Sequence, residues 1–212
     1  MIFSYNKEAV GDILMVVTAN AQDKAVDSES KGAITRIFIQ EDGTTVGWNF
    51  FDISRTLGNL DGRGQIFLTK EQLELLNRLL TEVSFKETIE DDGRPKIVVG
   101  FVKECHKHED SDHLSVTQTE VDGGEVLQIV CGAPNIQAGQ KVVVAKPEAM
   151  MPDGSMIWPG NLRGVDSFGM ICSAKELQLP DAPREKGILV LPEETEVGIS
   201  FPQIKKSLSI LS

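Results

Sequence analysis

Residues 126–135 read VLQIVCGAPN, an alternating apolar pattern that stops abruptly at a glycine and a proline. Leu127, Ile129 and Cys131 alternate with Gln128, and a period of two is typical of a β-strand that buries one face. The glycine and proline that follow favour a turn, because they punctuate regular structure. This stretch therefore predicts a half-buried strand that ends at a sharp change of chain direction.

Four further segments in the second half of the chain have a similar strand-like pattern, since each is short and bounded by Gly, Pro or Asp. The five predicted strands are 97–104, 114–121, 126–131, 142–145 and 187–191. Short strands with frequent turn residues indicate a closed all-β barrel or a sandwich. Only residues 135–138 and 174–177 have the pattern of helical turns.

The first half of the chain has the pattern of a small α+β unit. Segments 10–18, 33–40 and 45–51 are rich in β-branched and aromatic residues, and Asp42-Gly43 predicts a tight hairpin turn between the last two. Residues 65–68 are a candidate fourth strand.

The clearest helix of the sequence begins after Thr69. Gln72 follows three residues later, which is a capping-box arrangement, and Leu73, Leu76 and Leu80 recur at helical spacing. We expect this apolar stripe to pack on the sheet.

A polar segment separates the two halves. Residues 87–96 combine a run of charges with Gly93 and Pro95, which favour an exposed connection. We therefore predict four parts: a small α+β domain of unassigned role at 1–90, a linker at 91–96, a barrel domain at 97–201 and a tail at 202–212.

The composition, with 41% apolar and 25% charged residues, is that of an ordinary globular protein. No stretch approaches the roughly 20 apolar residues of a membrane span, and the apolar run 10–17 is interrupted by Asp12, unlike a secretion signal. We expect a cytoplasmic protein without a membrane partner. The three cysteines, an odd number at wide spacing, are expected to be reduced thiols.

The net charge is −11. Residues 1–96 carry 11 basic and 16 acidic groups, and residues 97–201 carry 8 and 16. Binding to nucleic acid depends on Lys and Arg that neutralise phosphates. A nucleic-acid site in this chain must therefore be a local patch, with modest affinity that falls steeply with salt.

Three sequence motifs in the second half of the chain indicate a protein family more specifically than the strand pattern does. They are KHEDSDHL at 107–114, QIVCGAPN at 128–135 and LRGVDSFGMICS at 162–173. In order and spacing they resemble the tRNA-binding domain at the N-terminus of the bacterial phenylalanyl-tRNA synthetase beta subunit. The same domain occurs in some methionyl-tRNA synthetases and in proteins like the endothelial-monocyte-activating polypeptide. The resemblance spans about residues 96–201 and implies a five-stranded barrel of the oligonucleotide/oligosaccharide-binding (OB) fold.

The whole chain, including YNKEAVGD at residues 5–12, also resembles the YtpR-like proteins, in which a small domain of unassigned role precedes the tRNA-binding domain. Nothing in it resembles a synthetase catalytic domain, so the likeness implies RNA binding without aminoacylation. Glu109 and Ser111 depart from the family pattern, in which the motif at 107–114 usually has Pro and Ala.

The resemblance implies a set of RNA contacts, since ligands of this fold class lie across the second and third strands and between the flanking loops. The candidate phosphate partners are Lys103, Lys107, Lys141, Lys146 and Arg163. The other candidate contacts are His108, His113, Asn135, Ser167, Met170 and Ser173, with Trp158 and Phe168 as stacking platforms.

Each of these residues also has a structural interpretation. The lysines are surface groups in that interpretation, Asn135 caps a helical turn, and Ser167 and Ser173 satisfy buried backbone groups. Met170 belongs to the core, and Trp158 packs in its own loop.

Two further site types are weighed and set aside. The cluster of Cys105, His106, His108 and His113 suggests zinc or copper, but neighbouring residues of a strand, such as Cys105 and His106, point to opposite faces, so no metal or other cofactor is expected. Ser167, His108 and Asp112 can be picked out as a triad, but no Gly-x-Ser-x-Gly elbow presents the serine. We expect no catalysis.

The sequence therefore predicts a protein that binds tRNA by shape and backbone contacts, as a non-catalytic accessory in translation. An aminoacyl-tRNA synthetase is a second candidate partner, and a homodimer is expected because two linked weak sites bind more tightly than one. The alternative is an acidic protein-interaction module that docks a synthetase or a ribosomal protein and carries a vestigial RNA site.

Overall fold

The computed structural model describes residues 1–201. The chain divides into two compact units between Arg94 and Pro95. Both units are mostly β, with few helices. The predicted tail, 202–212, lies outside the described residues.

The N-terminal unit is built on a six-stranded antiparallel sheet, whose order is β3-β4-β5-β2-β1-β6. Its strands are β1 (Ile2–Asn6), β2 (Ile13–Val17), β3 (Val26–Lys31), β4 (Ile34–Ile39), β5 (Thr45–Phe51) and β6 (Arg63–Ile66), and its helices are α1 (Lys7–Val10), α2 (Ser54–Leu57) and α3 (Lys70–Glu82). The predicted hairpin turn between β4 and β5 is confirmed, with Gly43 at φ +74°. The α+β prediction is confirmed only in part, because α1 and α2 are single turns.

The predicted helix α3 is confirmed together with its cap. Thr69 accepts a hydrogen bond from the Gln72 N–H, and the Gln72 side chain accepts one from the Thr69 N–H. Leu76 and Leu80 are fully buried in the same core as Trp48. The apolar stripe of the helix therefore packs on the sheet, as expected.

The carboxylate of Asp12 lies at the centre of a polar network that joins β1, β2 and α2. The Ser54 hydroxyl donates to Asp12 Oδ2 at 2.6 Å, the Ser54 N–H donates to both oxygens, and the Tyr5 hydroxyl donates to Oδ1 at 2.9 Å. The hydrogen bonds from Ser54 hold the pKa of Asp12 below its ordinary value. Burial, together with the neighbouring Asp12, raises the pKa of Tyr5.

Replacing Asp12 with alanine is expected to lower the free energy of unfolding by about 1–3 kcal/mol at pH 7, because the network loses its charged acceptor. Since the folded pKa of Asp12 is depressed, its stabilisation is present above the unfolded pKa and disappears as the pH falls through the folded pKa. The penalty of Asp12→Ala should therefore shrink between about pH 5 and about pH 2.

Urea unfolding followed by Trp48 fluorescence measures this, in a Trp158→Phe background that silences the other tryptophan. Asp23→Ala, at an exposed position, is the matched control and should show neither effect. A penalty of the same size at both ends of the pH range contradicts the role given to Asp12.

The C-terminal unit is an antiparallel sheet with the order β13-β10-β7-β8-β9, to which β14 adds by pairing with β10 and beside which β11 and β12 form a hairpin. Its strands are β7 (Ile97–Lys107), β8 (Ser115–Glu120), β9 (Val126–Cys131), β10 (Lys141–Ala145), β11 (Gly160–Leu162), β12 (Val165–Ser167), β13 (Met170–Ile171) and β14 (Val190–Leu191), with a single 3-10 turn at Asp122–Gly124. The predicted strands 97–104, 114–121, 126–131 and 142–145 are present, whereas of the predicted strand 187–191 only Val190–Leu191 is formed.

The sheet curls into a nearly closed barrel. The Phe168 N–H donates to the Gln128 carbonyl at 2.8 Å, and the Val130 N–H donates to Ser167 Oγ at 3.1 Å. These bonds join β9, at one end of the strand order, to the segment that leads into β13 at the other end. The alternation seen in the sequence is confirmed, because Leu127, Ile129 and Cys131 all lie in the barrel core.

Several details differ from the sequence prediction. Residues 174–177, predicted as a helical turn, form a turn in which the Leu177 N–H donates to the Ser173 carbonyl at 3.2 Å, whereas 135–138 form only short, non-helical turns. Strands β1 and β3 of the first unit and β11, β12 and β13 of the second are present although the sequence pattern did not indicate them.

Candidate nucleic-acid interface

A cleft of about 1010 Å³ opens where β9 ends. Its lining comes from the end of β9, from β13 and from three loop segments, 156–158, 173–176 and 183–189. Apolar side chains are the largest class among them, and Met156, Trp158 and Leu162 are the largest apolar groups that the strand core does not bury. A surface concavity of this size, mostly apolar and with a few charged groups, is typical of a binding site.

The charges of the cleft differ from those of the unit as a whole. Lys175, Arg184 and Lys186 line it together with Glu176 and Glu185, so the lining carries three positive and two negative groups, net +1. Within residues 1–201, none of the three cations is in a salt bridge. These cations are therefore available to a negatively charged ligand.

These three cations were not among the RNA contacts predicted from the sequence. They are interleaved with Glu176 and Glu185, so a charge count by segment conceals them. Lys175 could have been found from its position, because it lies two residues after the third family motif, 162–173. The loop that carries Arg184 and Lys186 gave no such signal.

The buried side chain of His108 holds the rim of the cleft. It is 4% exposed, its Nδ1 accepts the Asp110 N–H at 3.0 Å, and its Nε2 is 3.1 Å from the Leu162 carbonyl. These partners assign the proton to Nε2 of a neutral ring. Arg163 provides a second hydrogen bond between the same two segments, because its Nη1 donates to the Asp110 carbonyl at 2.9 Å. The loop after β7 is thereby fixed to the β11–β12 hairpin.

The side chain of Asn135 anchors another part of the lining. Its Nδ2 donates to the Ile188 carbonyl at 3.1 Å, and its Oδ1 accepts the Ile188 N–H at 2.9 Å. Asn135 therefore does not cap a helical turn but pairs with backbone like a neighbouring strand. This two-point contact positions the segment that follows Arg184 and Lys186.

Three other predicted site residues also lie at the cleft. Ser167 is buried and accepts the Val130 N–H, while Met170 is partly buried against the core. Ser173 donates from both its N–H and its Oγ to Glu176 Oε2, each at 2.7 Å. The cleft thus brings these three together with Asn135.

The predicted lysines lie elsewhere. Lys146 is buried, and its Nζ is 2.5 Å from Asp122 Oδ1. Lys103 pairs with Glu120, and the Nζ of Lys141 lies 4.9 Å from the ring centroid of Phe101. None of these three lysines lines the cleft.

The remaining predicted contacts, Lys107 and His113, are exposed on the loop side of β7 and β8. Of the two predicted stacking residues, Trp158 lines the cleft and Phe168 does not.

The outer face of β7, β8 and β9 is not cationic. Gln118 on β8 donates to Gln128 on β9 at 3.1 Å, and Gln128 donates to the Asp166 carbonyl at 2.8 Å. Glu104 and Glu120 lie on the same stretch of sheet. Lys103, the exposed lysine of this face, is already paired with Glu120, so the strand face offers a polyanion less free positive charge than the cleft does.

Within residues 1–201, no group of three or more His, Cys, Asp or Glu side chains is placed to hold a metal ion. In that same range, no helix combines the length and the apolar character that a membrane span requires.

Comparison with known proteins assigns the class. Residues 97–200 match the family model described as a putative tRNA binding domain, and residues 21–92 match a domain of unknown function, DUF4479. The barrel and its cleft are thus those of a protein that carries a tRNA-binding domain.

The chain belongs to the family of the putative tRNA-binding protein YtpR, as the resemblance of the sequence predicted. It is 47% identical to YtpR of Bacillus subtilis (strain 168) over 197 residues, which are 93% of this chain and 97% of that protein.

Other similar proteins match about half of this chain. The phenylalanine–tRNA ligase beta subunit of Oceanobacillus iheyensis is 53% identical over 107 residues, which are 49% of this chain and 13% of that subunit. The crystal structure of a MetRS related protein from Pyrococcus horikoshii covers 48% of this chain and 84% of that chain at 25% identity, with a TM-score of 0.36.

Replacing His108 with alanine is expected to lower the free energy of unfolding by about 1–3 kcal/mol, because the Asp110 N–H and the Leu162 carbonyl lose their partner. His113→Ala, five residues away at an exposed position, is the control and should change stability by less than about 0.5 kcal/mol. Hydrogen exchange of residues 160–167 should accelerate in the first variant alone. Equal stability and equal exchange in the two variants would contradict the role given to His108 in holding the rim of the cleft.

The pair formed by buried Lys146 and partly buried Asp122 is expected to behave as a unit. Lys146→Met should destabilise the protein by about 1–3 kcal/mol, because it leaves a partly buried carboxylate without its partner. The double variant Lys146→Met/Asp122→Leu should be more stable than that single variant, as urea unfolding will measure. If the two substitutions simply add, the pair is not coupled.

Proposed function

We propose that this protein binds tRNA through its C-terminal unit, as a non-catalytic accessory of translation, and that the cleft at the end of β9 is the centre of the RNA site. The observation that carries the proposal is that the matched tRNA binding domain contains a cleft lined by Lys175, Arg184 and Lys186. Unpaired cations attract phosphates, and the counterions that the phosphates then release favour binding.

The barrel supports this proposal as an OB fold. Its sheet follows a path of five strands, to which β14 adds a sixth; it is partly open, and β10 pairs with β7 and not with its predecessor in sequence, as in a Greek-key barrel. Barrels of this class bind oligonucleotides between loops at the side of the second and third strands. The cleft lies at the end of the third strand, β9.

The proposed contacts differ from those first expected from the sequence. Five of the expected RNA contacts instead make hydrogen bonds within the protein, namely Lys146, His108, Asn135, Ser167 and Ser173. We assign them the role of shaping the site. Direct contact with RNA is assigned to Trp158 and the three cleft cations, with Lys107 and His113 at the periphery.

The absence of catalysis is part of the proposal. Both nitrogens of His108 and the Oγ of Ser167 have backbone partners, so neither is free to serve a nucleophile and base pair. Burial raises the pKa of Cys172 to about 12 and also raises the pKa of Cys131. Both thiols are therefore poor nucleophiles at neutral pH.

The test is the binding of unfractionated tRNA to the full chain at low and moderate salt. Neutralising the cleft with Lys175→Gln, Arg184→Gln and Lys186→Gln together should weaken binding at least about tenfold at low salt. The slope of log affinity against log salt should also flatten by about 0.7–0.9 for each phosphate that the variant no longer neutralises.

A matched control exists in the N-terminal unit, where two lysines and one arginine are exposed on helix α3 and the segment after it. The control variant changes Lys70, Arg78 and Lys86 to glutamine. It has the same net charge as the cleft variant and should bind tRNA nearly as the wild type does. If both variants are weakened equally, the cleft is not the site. If the wild type does not bind tRNA at low salt, the acidic protein-interaction module becomes the better explanation.

We also propose a cytoplasmic location and a homodimer, in which two weak sites combine to raise the avidity for RNA. An aminoacyl-tRNA synthetase is the proposed protein partner. Size measurement at the concentration of the binding assay tests the dimer directly.

A further inference from the structure

We propose that the cleft takes an unstacked nucleobase, so that the part of the RNA that enters it is single-stranded. This inference rests on the proposed function and makes it more specific, since tRNA has both paired and unpaired regions. It starts from the apolar groups of the cleft, which a contact with phosphates alone does not explain.

The rim of the cleft exposes apolar side chains to water. Met156 is 37% exposed and Leu162 is 39% exposed, and the half-buried indole of Trp158 lines the cleft with them. A double helix of RNA presents ribose and phosphate to a protein, and its bases stay stacked inside. Such a ligand leaves these three side chains in water. An unstacked base covers them and stacks on the indole.

The size of the cleft agrees with such a ligand. At about 1010 Å³ it is at the upper limit of the range, roughly 300–1,000 Å³, that accommodates drug-sized molecules. A nucleobase with its ribose and the adjoining phosphates is a ligand of this size class.

The cations are placed for a single strand. Arg184 and Lys186 are two residues apart on one loop, and Asn135 fixes that loop at Ile188. In a single strand, a base in the cleft brings its own flanking phosphates to the cations that line it. The fixed rim also reduces the conformational entropy that binding has to order.

The first arm of the test compares two probes at equal salt: an eight-nucleotide single-stranded RNA of mixed sequence and the same RNA annealed to its complement. The full chain should bind the single strand at least about tenfold more tightly, and the single strand should displace tRNA. Inorganic polyphosphate, which has phosphates but no bases, should displace tRNA only weakly.

The second arm changes the base contact without changing charge. Trp158→Leu should weaken binding of the single strand about tenfold and leave the salt slope unchanged, whereas Trp158→Phe should retain most of the affinity. Trp48 is only 2% exposed, so quenching of the indole emission by the single strand in the wild type should disappear in Trp158→Phe. A thermal unfolding curve of each variant shows that the fold is intact.

The outcomes separate this inference from the proposed function. If tRNA binds but duplex and single strand bind equally, or if Trp158→Leu binds like the wild type, the base contact is refuted and tRNA binding stands. If tRNA itself does not bind, both are refuted.

Discussion

The barrel of the C-terminal unit depends on its closure at residues 167–169. Ser167 and Phe168 bond to the backbone of β9, and the next residue, Gly169, passes close to β10. A Cβ at Gly169 would lie 2.7 Å from the Ala145 carbonyl oxygen, and its φ of +131° is a conformation that other residues rarely adopt. Only glycine fits there. The closure places Ser167, Gly169 and Met170 in the lining of the cleft, so the site exists because the barrel closes.

The motifs that identify the family mainly build this site in our assignment, and of their residues only Lys107 and His113, at the periphery, contact the RNA. His108, Asn135 and Ser167 come from three different motifs, and each bonds to backbone that is distant in sequence. These three positions were predicted as RNA contacts, because a sequence motif does not distinguish a polar group that shapes a site from one that touches RNA. The difference lies in the partner, and each of these partners is at least 37 residues away.

The fold was predictable where the local pattern agrees with the tertiary environment. Strands β5 and β9 were predicted to the residue, because β-branched and apolar residues there meet a buried face. Strand β3 was missed because it is an exposed edge strand with the polar sequence VDSESK. The β11–β12 hairpin was missed because its short strands depend on the turn at Arg163 and Gly164 and not on apolar alternation. In the same way, the burial of Lys146 depends on Asp122, which is 24 positions earlier.

The acidic character of the chain is compatible with a polyanionic ligand once distances are considered. Charges in water interact weakly beyond a Debye length of about 8–10 Å at physiological salt, so a ligand in the cleft responds mainly to the lining, at net +1. On the strand face, by contrast, the exposed Lys103 is already paired with Glu120. Under the proposed function, an acidic unit with one cationic cleft binds RNA with modest affinity but favours one position, because like charges disfavour binding of phosphates to the acidic parts of its surface.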